Sequence, residues 1–217
     1  MNMLFMYKFI IVILIGYLIG CLQWSYILSK IIKKVDIRTL GGGNAGASNT
    51  VEVFGWKMGV TVGLLDIIKA VISLLLIRYL FKISFLENNM LNLYLNGTGV
   101  ILGHNYPFFM KFKGGKGTAS TLGMLFGIDY RIGIIGFLII LTVTLLTDYI
   151  ALGTMSLVAF FILATIYLNF GTACTLITVF IALQSFYKHL PNIKKIISNQ
   201  ESRVRDALKK KSKSKYI

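Results

Sequence analysis

GHNYPFFMKFKGGKGTAST, residues 103–121, places three lysines, one histidine and four glycines between two apolar stretches, 91–103 and 118–128. Backbone and charge of this kind sit at membrane depth only where protein buries them or a polar cavity receives them. Lysines beside glycine-rich backbone bring ammonium charge and exposed N–H groups together, which is the chemistry of an anion site. The stretch therefore predicts a membrane protein that handles a phosphorylated or carboxylated substrate at the membrane surface.

The rest of the chain agrees with that class. Hydrophobic residues make up 56% of the 217 residues and the mean hydropathy is +0.74, against about 45–50% apolar in a soluble domain. The net charge of +15 is concentrated at the end, where residues 188–217 hold ten Lys/Arg against two acids. On a membrane protein such a tail reads as anchoring to anionic headgroups, not as a nucleic-acid site. Cys21 and Cys174 lie in apolar segments without metal-ligand spacing, so no disulfide framework, metal or other cofactor is expected. The N-terminal apolar run is too long for a signal-peptide core and lacks a cleavage site, so it is expected to remain as a membrane helix.

A hydrocarbon core takes about 20 apolar residues per helix. Segments 8–29, 56–80, 131–147, 149–168 and 170–187 meet that length, while 91–103 and 118–128 fall short. The expected architecture is all-α: a polytopic bundle of about seven transmembrane or partly spanning helices, with three cytoplasmic glycine-rich or basic loops. Residues 1–201 form the embedded bundle and 202–217 a basic tail. Lys30, Lys33, Lys34, Arg38, Lys111, Lys113, Lys116 and the tail fall on one side. The opposing loops offer Arg78, Lys82 and Arg131 against Glu87 and Asp129. Positive-inside counting then sets the N-terminus outside and the C-terminus in the cytoplasm. Glycines four apart (Gly55, Gly59, Gly63; Gly99, Gly103; Gly123, Gly127) predict close helix packing.

Two common phosphate motifs are excluded. Gly41, Gly43 and Gly46 spell GxGxxG without a surrounding βαβ pattern, and GGKG at 114–117 lacks the Ser/Thr of a Walker loop. Three elements remain: LGGGNAGASNTVEVFG (40–55), the loop around His104 and Lys116, and HLPNIKKIISNQE (189–201). Together they resemble the signature loops of the acyl-phosphate-dependent glycerol-3-phosphate acyltransferases, the PlsY family, over nearly the whole chain. GHNYP followed by FKGGKG carries most of that likeness.

The resemblance implies a bacterial, multi-pass cell-membrane enzyme that moves a fatty acyl group from acyl phosphate to glycerol 3-phosphate, giving lysophosphatidic acid and phosphate. It implies no cofactor, no nucleic acid and no obligatory protein partner; the partners are the two substrates and membrane lipid. Carried over by position, His189, Asn192 and Lys116 are the expected catalytic residues. Gly43, Asn44, Gly46, Asn49, His104, Lys113, Gly114, Gly115, Gly117 and Glu201 are expected to bind substrate. Backbone N–H groups at Gly43, Asn44, Gly46, Gly114 and Gly115 suit phosphate oxygens. Acyl phosphate is already activated, so orientation and charge stabilisation suffice without a covalent nucleophile. For His104 a structural, hydrogen-bonded histidine is the competing reading. Asp66 and Lys69, three apart on one helix face, serve either the site or the bundle that supports it.

The likeness lapses at polar positions. Gly42 stands where the family has serine, Glu52 where it has arginine, and Asp148 to Ala151 where it has an RYVS-like element. Leu190 and Pro191 replace a charged pair. A unit-charge contact at 4 Å is worth about 4 kcal/mol at an effective dielectric near 20, so Glu52 is the substitution with most consequence. Either it turns toward Lys57, or another cation such as Arg38 substitutes, or the acceptor differs. The reading is an acyltransferase of this kind; the alternative is a paralogue with another acceptor or a non-catalytic lipid-binding role. A small transporter or channel fits less well, since polarity gathers at one face.

Overall fold

The computed structural model describes residues 3–83 and 90–209. In chain order they form α1 (Met3–Gly20), α2 (Trp24–Lys33), α3 (Ala47–Phe54), α4 (Trp56–Phe81), α5 (Leu91–Asn105), α6 (Thr118–Ile128), α7 (Tyr130–Thr147), α8 (Ile150–Tyr167), α9 (Thr172–Ile197) and α10 (Val204–Lys209). Two 3-10 turns, Ile37–Thr39 and Phe108–Met110, lie in the loops. Among the described residues the fold is all-α; six of the seven predicted apolar segments fall on one helix each, and 8–29 is divided between α1 and α2. Glu87 and residues 210–217 lie outside the described residues.

Five stretches are long and apolar enough to cross a membrane: Tyr7–Lys33, Trp56–Phe81, Tyr130–Thr147, Ile150–Tyr167 and Thr172–Ile197. At 1.5 Å per residue α5 and α6 reach only about 22 and 16 Å, short of a hydrocarbon core of about 30 Å. Each therefore needs partners for a terminus buried inside the bundle. Arg78, counted above as a loop charge, supplies them for α6. It is 4% exposed within α4 and donates to the carbonyls of Ile128 at 2.6 Å and Gly127 at 3.3 Å. Those carbonyls have no intrahelical donor at a helix C-terminus, so the charge is buried to cap α6.

Three boundaries differ from the sequence expectation. The first helix, expected over 8–29, breaks after Gly20. The break persists because Lys69 Nζ donates to Gly20 O at 3.1 Å and Leu22 O at 2.6 Å, and Gln23 Nε2 donates to His104 O at 2.7 Å. The last helix runs to Ile197, ten residues past its expected end, with Pro191 inside it. Proline removes one N–H from the ladder, but buried His189 and doubly bonded Asn192 hold the helix across it. Finally, the 40–55 loop contains α3. Gly55, expected in a packing row, is instead the joint between α3 and α4.

Gly63 also meets only ordinary contact, with Ala47 at 3.5 Å, while Gly59, Gly99, Gly103, Gly123 and Gly127 pack as closely as their spacing predicts. A Cβ on Gly99 or Gly103 would collide with the α1 carbonyls of Ile13 and Tyr17, and one on Gly16 or Gly20 with the α5 carbonyls of Asn96 and Val100. Helices α1 and α5 thus meet backbone to backbone. Gly123 is set against Ile67 in the same way, seating α6 on α4. Tyr94, Leu125, Leu157 and Phe161 fill the centre, with Tyr94 stacked on Phe161 at 5.6 Å. Leu64, Ile68 and Ile72 form an exposed apolar face on α4, as expected where lipid is the solvent. The polar loops collect at the end of the bundle where α1, α5 and α9 finish and α6 and α8 begin.

Candidate active site

Residues 36–46 are knotted by one side chain. Asn49, on α3 and 2% exposed, donates from Nδ2 to the carbonyls of Ile37, Leu40 and Asn44 and accepts at Oδ1 from Gly42 N at 2.6 Å. Its hydrogen-bonding capacity is used inside the loop. Gly43 follows at φ +73, a conformation open to glycine and strained for most side chains. Asp36 and Arg38 close the other end. Arg38 forks onto Asp36 at 2.7 Å, donates to Met110 O at 2.8 Å and lies over the Tyr26 ring. That guanidinium holds the Asp36 carboxyl below the usual carboxylate range. Arg38 is therefore occupied as a tie between two loops.

The second loop docks on the first through Ala45 N to Gly114 O at 3.3 Å. Its glycines allow the chain to double back on the end of α5: Gly114 N donates to Asn105 O and Gly115 N to His104 O. These bonds correct an expectation. The N–H groups of Gly43, Gly114 and Gly115 close their own loops, with Gly43 N on Leu40 O, and are not free for phosphate. The amides of Asn44, Gly46, Lys116 and Gly117 carry no such bond. A Cβ on Gly115 would strike the His104 ring, which explains a glycine there.

His104 is 3% exposed. Its Nδ1 lies 3.1 Å from Lys69 Nζ and 3.5 Å from Asp66, and Lys69 pairs with Asp66 at 2.7 Å. This buried triad, together with Gln23, sits beneath the lysine loop and ties it to the α1–α2 break. Gln23 carries no motif and lies inside the span expected as one helix over 8–29, so the sequence offered no signal for it.

Above that floor three predicted residues meet. Lys116 Nζ donates to Asn192 Oδ1 at 2.5 Å, and Asn192 Nδ2 donates to Glu201 Oε1 at 2.5 Å. An ammonium only donates and a carboxylate only accepts, so the Asn192 amide has one orientation. Burial pulls the Lys116 ammonium below its ordinary 10.5; Glu201 and Glu52 oppose that effect and Lys195 adds to it. His189 lies one turn back on α9, 4% exposed. Its Nδ1 bonds Ser185 O at 2.9 Å, leaving Nε2 as the acceptor. Lys113 is exposed and touches none of this group. Gly117, at φ +86, turns the chain from Lys116 into α6.

Lys188 was missed by sequence reasoning, which counted it only among the tail charges. Its ammonium lies 4.5 Å from the Tyr106 ring centroid and 3.4 Å from Asn105 O, and it is close enough to interact electrostatically with Lys116. Glu52 is exposed and forms no ion pair with Lys57 or Arg38. Its carboxylate stands beside Gly42, within electrostatic reach of Lys116. Ala151 is buried at the start of α8, where Thr154 bonds Thr118 of α6 at 3.0 Å. The result is a cluster of cations over a buried, hydrogen-bonded floor, with an oriented amide and a histidine lone pair beside them. That chemistry suits an anion and a hydroxyl.

The same loops and bundle occur in known proteins. The pattern of the family described as glycerol-3-phosphate acyltransferase matches residues 10–199. Glycerol-3-phosphate acyltransferase 1 of Oceanobacillus iheyensis is 40% identical over 206 residues, 94% of this chain and 99% of its own length. The glycerol-3-phosphate acyltransferase of Thermoanaerobacter pseudethanolicus is 37% identical over 192 residues, 88% of this chain and 93% of its own. Two crystal structures of PlsY (YgiH), an integral membrane glycerol 3-phosphate acyltransferase, share the fold. The glycerol 3-phosphate form gives a TM-score of 0.81 at 29% identity, and the lysophosphatidic acid form 0.78 at 27%. Each covers 90% of this chain and 94% of the solved one. With the pattern spanning the first two loops and the third as far as residue 199, and the bundle superposing nearly end to end, this multi-pass membrane protein belongs to the glycerol-3-phosphate acyltransferase family.

Proposed function

We propose that the chain transfers a fatty acyl group from acyl phosphate to the primary hydroxyl of glycerol 3-phosphate, releasing phosphate and lysophosphatidic acid. The observation that carries this reading is the convergence of Lys116, Asn192 and Glu201 beside His189. The hydroxyl oxygen attacks the acyl carbonyl carbon; that C–O bond forms as the bond from carbon to the phosphate oxygen breaks. The hydroxyl proton leaves toward the His189 Nε2 lone pair or the departing phosphate. Lys116 and Lys188 supply charge for phosphate oxygens, and the amides of Asn44, Gly46, Lys116 and Gly117, which carry no bond within the loops, are the N–H groups left to add to it. Asn192 orients the acceptor. Since the donor arrives activated, orientation and electrostatics are what the protein must add. Asn49, His104, Asp66 and Lys69 hold the loops in place for this. The loops face the cytoplasm, with the N-terminus outside and the basic tail inside, which is the arrangement positive-inside counting favours.

Glu52 favours a second reading of the acceptor. A carboxylate beside Gly42 repels a phosphate that an arginine there would attract, so a paralogue using a different acceptor is the competing assignment. Phosphate release by purified protein in lipid, given acyl phosphate with and without glycerol 3-phosphate, tests both. Release that rises with glycerol 3-phosphate, with lysophosphatidic acid formed in equal amount, supports the proposal. Release indifferent to glycerol 3-phosphate ends it.

A further inference from the structure

After α9 the chain reverses at Asn199, which sits at φ +56, and Gln200 N returns to Lys195 O at 2.7 Å. Glu201 then meets Asn192. Three residues later the chain is held again. Val204 N donates to Asp148 O at 3.0 Å, Arg205 N donates to Asp148 Oδ1 at 3.0 Å, and Arg205 Nη2 donates to Leu145 O at 2.8 Å. Asp148 ends α7 in a left-handed conformation, and Arg203 sits beside Tyr149. The α7–α8 corner is tied back to the site through Thr154 on Thr118, two residues from Lys116. The contacts close a ring from Lys116 through Asn192, Glu201, the strap 201–205, Asp148 and α8 back to the start of α6.

We propose that Asp148 and Arg205 form a clasp that positions Glu201, and through it the Asn192 amide, against Lys116. The inference rests on the acyl-transfer reading above and adds positioning residues outside its three loops. Glu201 is partly exposed, and the reversal holds its backbone only, through Glu201 N on Lys195 O at 3.2 Å. Anchoring the chain four residues further on fixes the direction in which the segment leaves that reversal, so Asn192 keeps the face it shows the acceptor. The Arg205–Asp148 ion pair is 3.8 Å long and its arginine is 64% exposed; exposed pairs are weak. The holding force lies in the two backbone N–H bonds to Asp148, and both are removable.

Val204→Pro deletes one of those donors at a position where a helix start accepts proline, and Asp148→Gly removes the Oδ1 acceptor of the other while suiting the left-handed backbone. In the double variant kcat for acyl transfer is expected to fall about fivefold, with KM for acyl phosphate and the thermal midpoint unchanged. Asp148→Gly alone should show part of the loss, and Asp148→Asn, which keeps an Oδ1 acceptor and tolerates the left-handed backbone, should rescue it. Unchanged kcat in the double variant, or a thermal midpoint that falls in step with kcat, overturns the proposal. A pair of cysteines, Asp148→Cys with Arg205→Cys, tests the geometry independently of turnover, because Cys21 and Cys174 are buried. The clasp requires that the pair cross-link on mild oxidation; failure to do so overturns it. If the unaltered chain shows no transfer to glycerol 3-phosphate while the cross-link forms, the acyl-transfer reading fails and the clasp geometry stands.

Discussion

Lys116 and Asn192 stand 76 residues apart in the chain, and their ammonium and amide oxygen lie 2.5 Å apart in the fold. That contact joins the turn before α6 to the last turns of α9 and sets the charge and the oriented amide side by side. It also means that neither residue is expected to act alone.

Lys116→Ala is expected to lower kcat/KM for acyl phosphate by about 100-fold or more, the scale on which electrostatic groups at a developing charge are felt. Steady-state phosphate release measures it. Lys116→Arg should recover part of the loss by keeping charge while misplacing the point of contact. A near-normal rate in Lys116→Ala would remove the lysine from the mechanism.

Asn192→Asp places a second carboxylate 2.5 Å from where Glu201 now accepts. Like charges at such range destabilise the pair, so turnover should fall steeply. Adding Glu201→Gln to that variant should restore part of it, since the glutamine amide donates to the new carboxylate. A double-mutant cycle with coupling near zero would show that the two side chains act independently.

The pH dependence follows from the buried ammonium of Lys116. Its folded pKa lies below the ordinary 10.5 because burial disfavours the charge. Catalysis that needs the ammonium is lost as pH rises through that folded value, before an exposed lysine titrates. Stability moves the other way. Between the folded value and 10.5 the unfolded chain binds more protons, so the unfolding free energy rises with pH across that window. A kcat/KM profile should show the basic limb, and Lys116→Arg should push it beyond the accessible range.

Glu52→Gln should lower KM for glycerol 3-phosphate about threefold to tenfold with little change in kcat, because an exposed carboxylate acts through partly screened repulsion. Glu52→Arg should go further in the same direction. A KM that rises in both variants would mean that Glu52 belongs to the working site, and would favour the different-acceptor reading.

Lys69→Ala leaves Asp66 buried without its cation and strips the carbonyls of Gly20 and Leu22 of a donor. Loss of one partner from a buried pair costs about 3–5 kcal/mol. A thermal midpoint measured in detergent or lipid should drop clearly, while the exposed Lys113→Ala leaves it in place.

Much of the molecule is legible in one dimension because the bilayer and the glycines act locally. Apolar length locates seven helical segments, and Gly99 and Gly103 announce a close helix approach, since nothing larger leaves room for backbone contact; that the partner is α1 was decided by packing. The two phosphate-like glycine loops are readable as loops by the same token. Which of their amides are free is not: Gly114 N and Gly115 N turn inward to the end of α5, a choice made by the docking of Ala45 on Gly114. Arg78 reads as a loop charge and is the buried cap of α6, because the carbonyls it serves lie 49 and 50 residues away.

The residue types for anion chemistry, their three loops and the family to which they belong were thus determined by the sequence alone. Tertiary structure decided which cations are available: Arg38 is tied to Asp36 and Met110, while Lys188 joins Lys116 at the site. It also decided that Val204 and Arg205 bond Asp148 at the α7–α8 corner. Propensity and hydropathy are properties of neighbours along the chain. Charge pairing and hydrogen-bond satisfaction depend on distances in space, and those distances are set only when the helices pack.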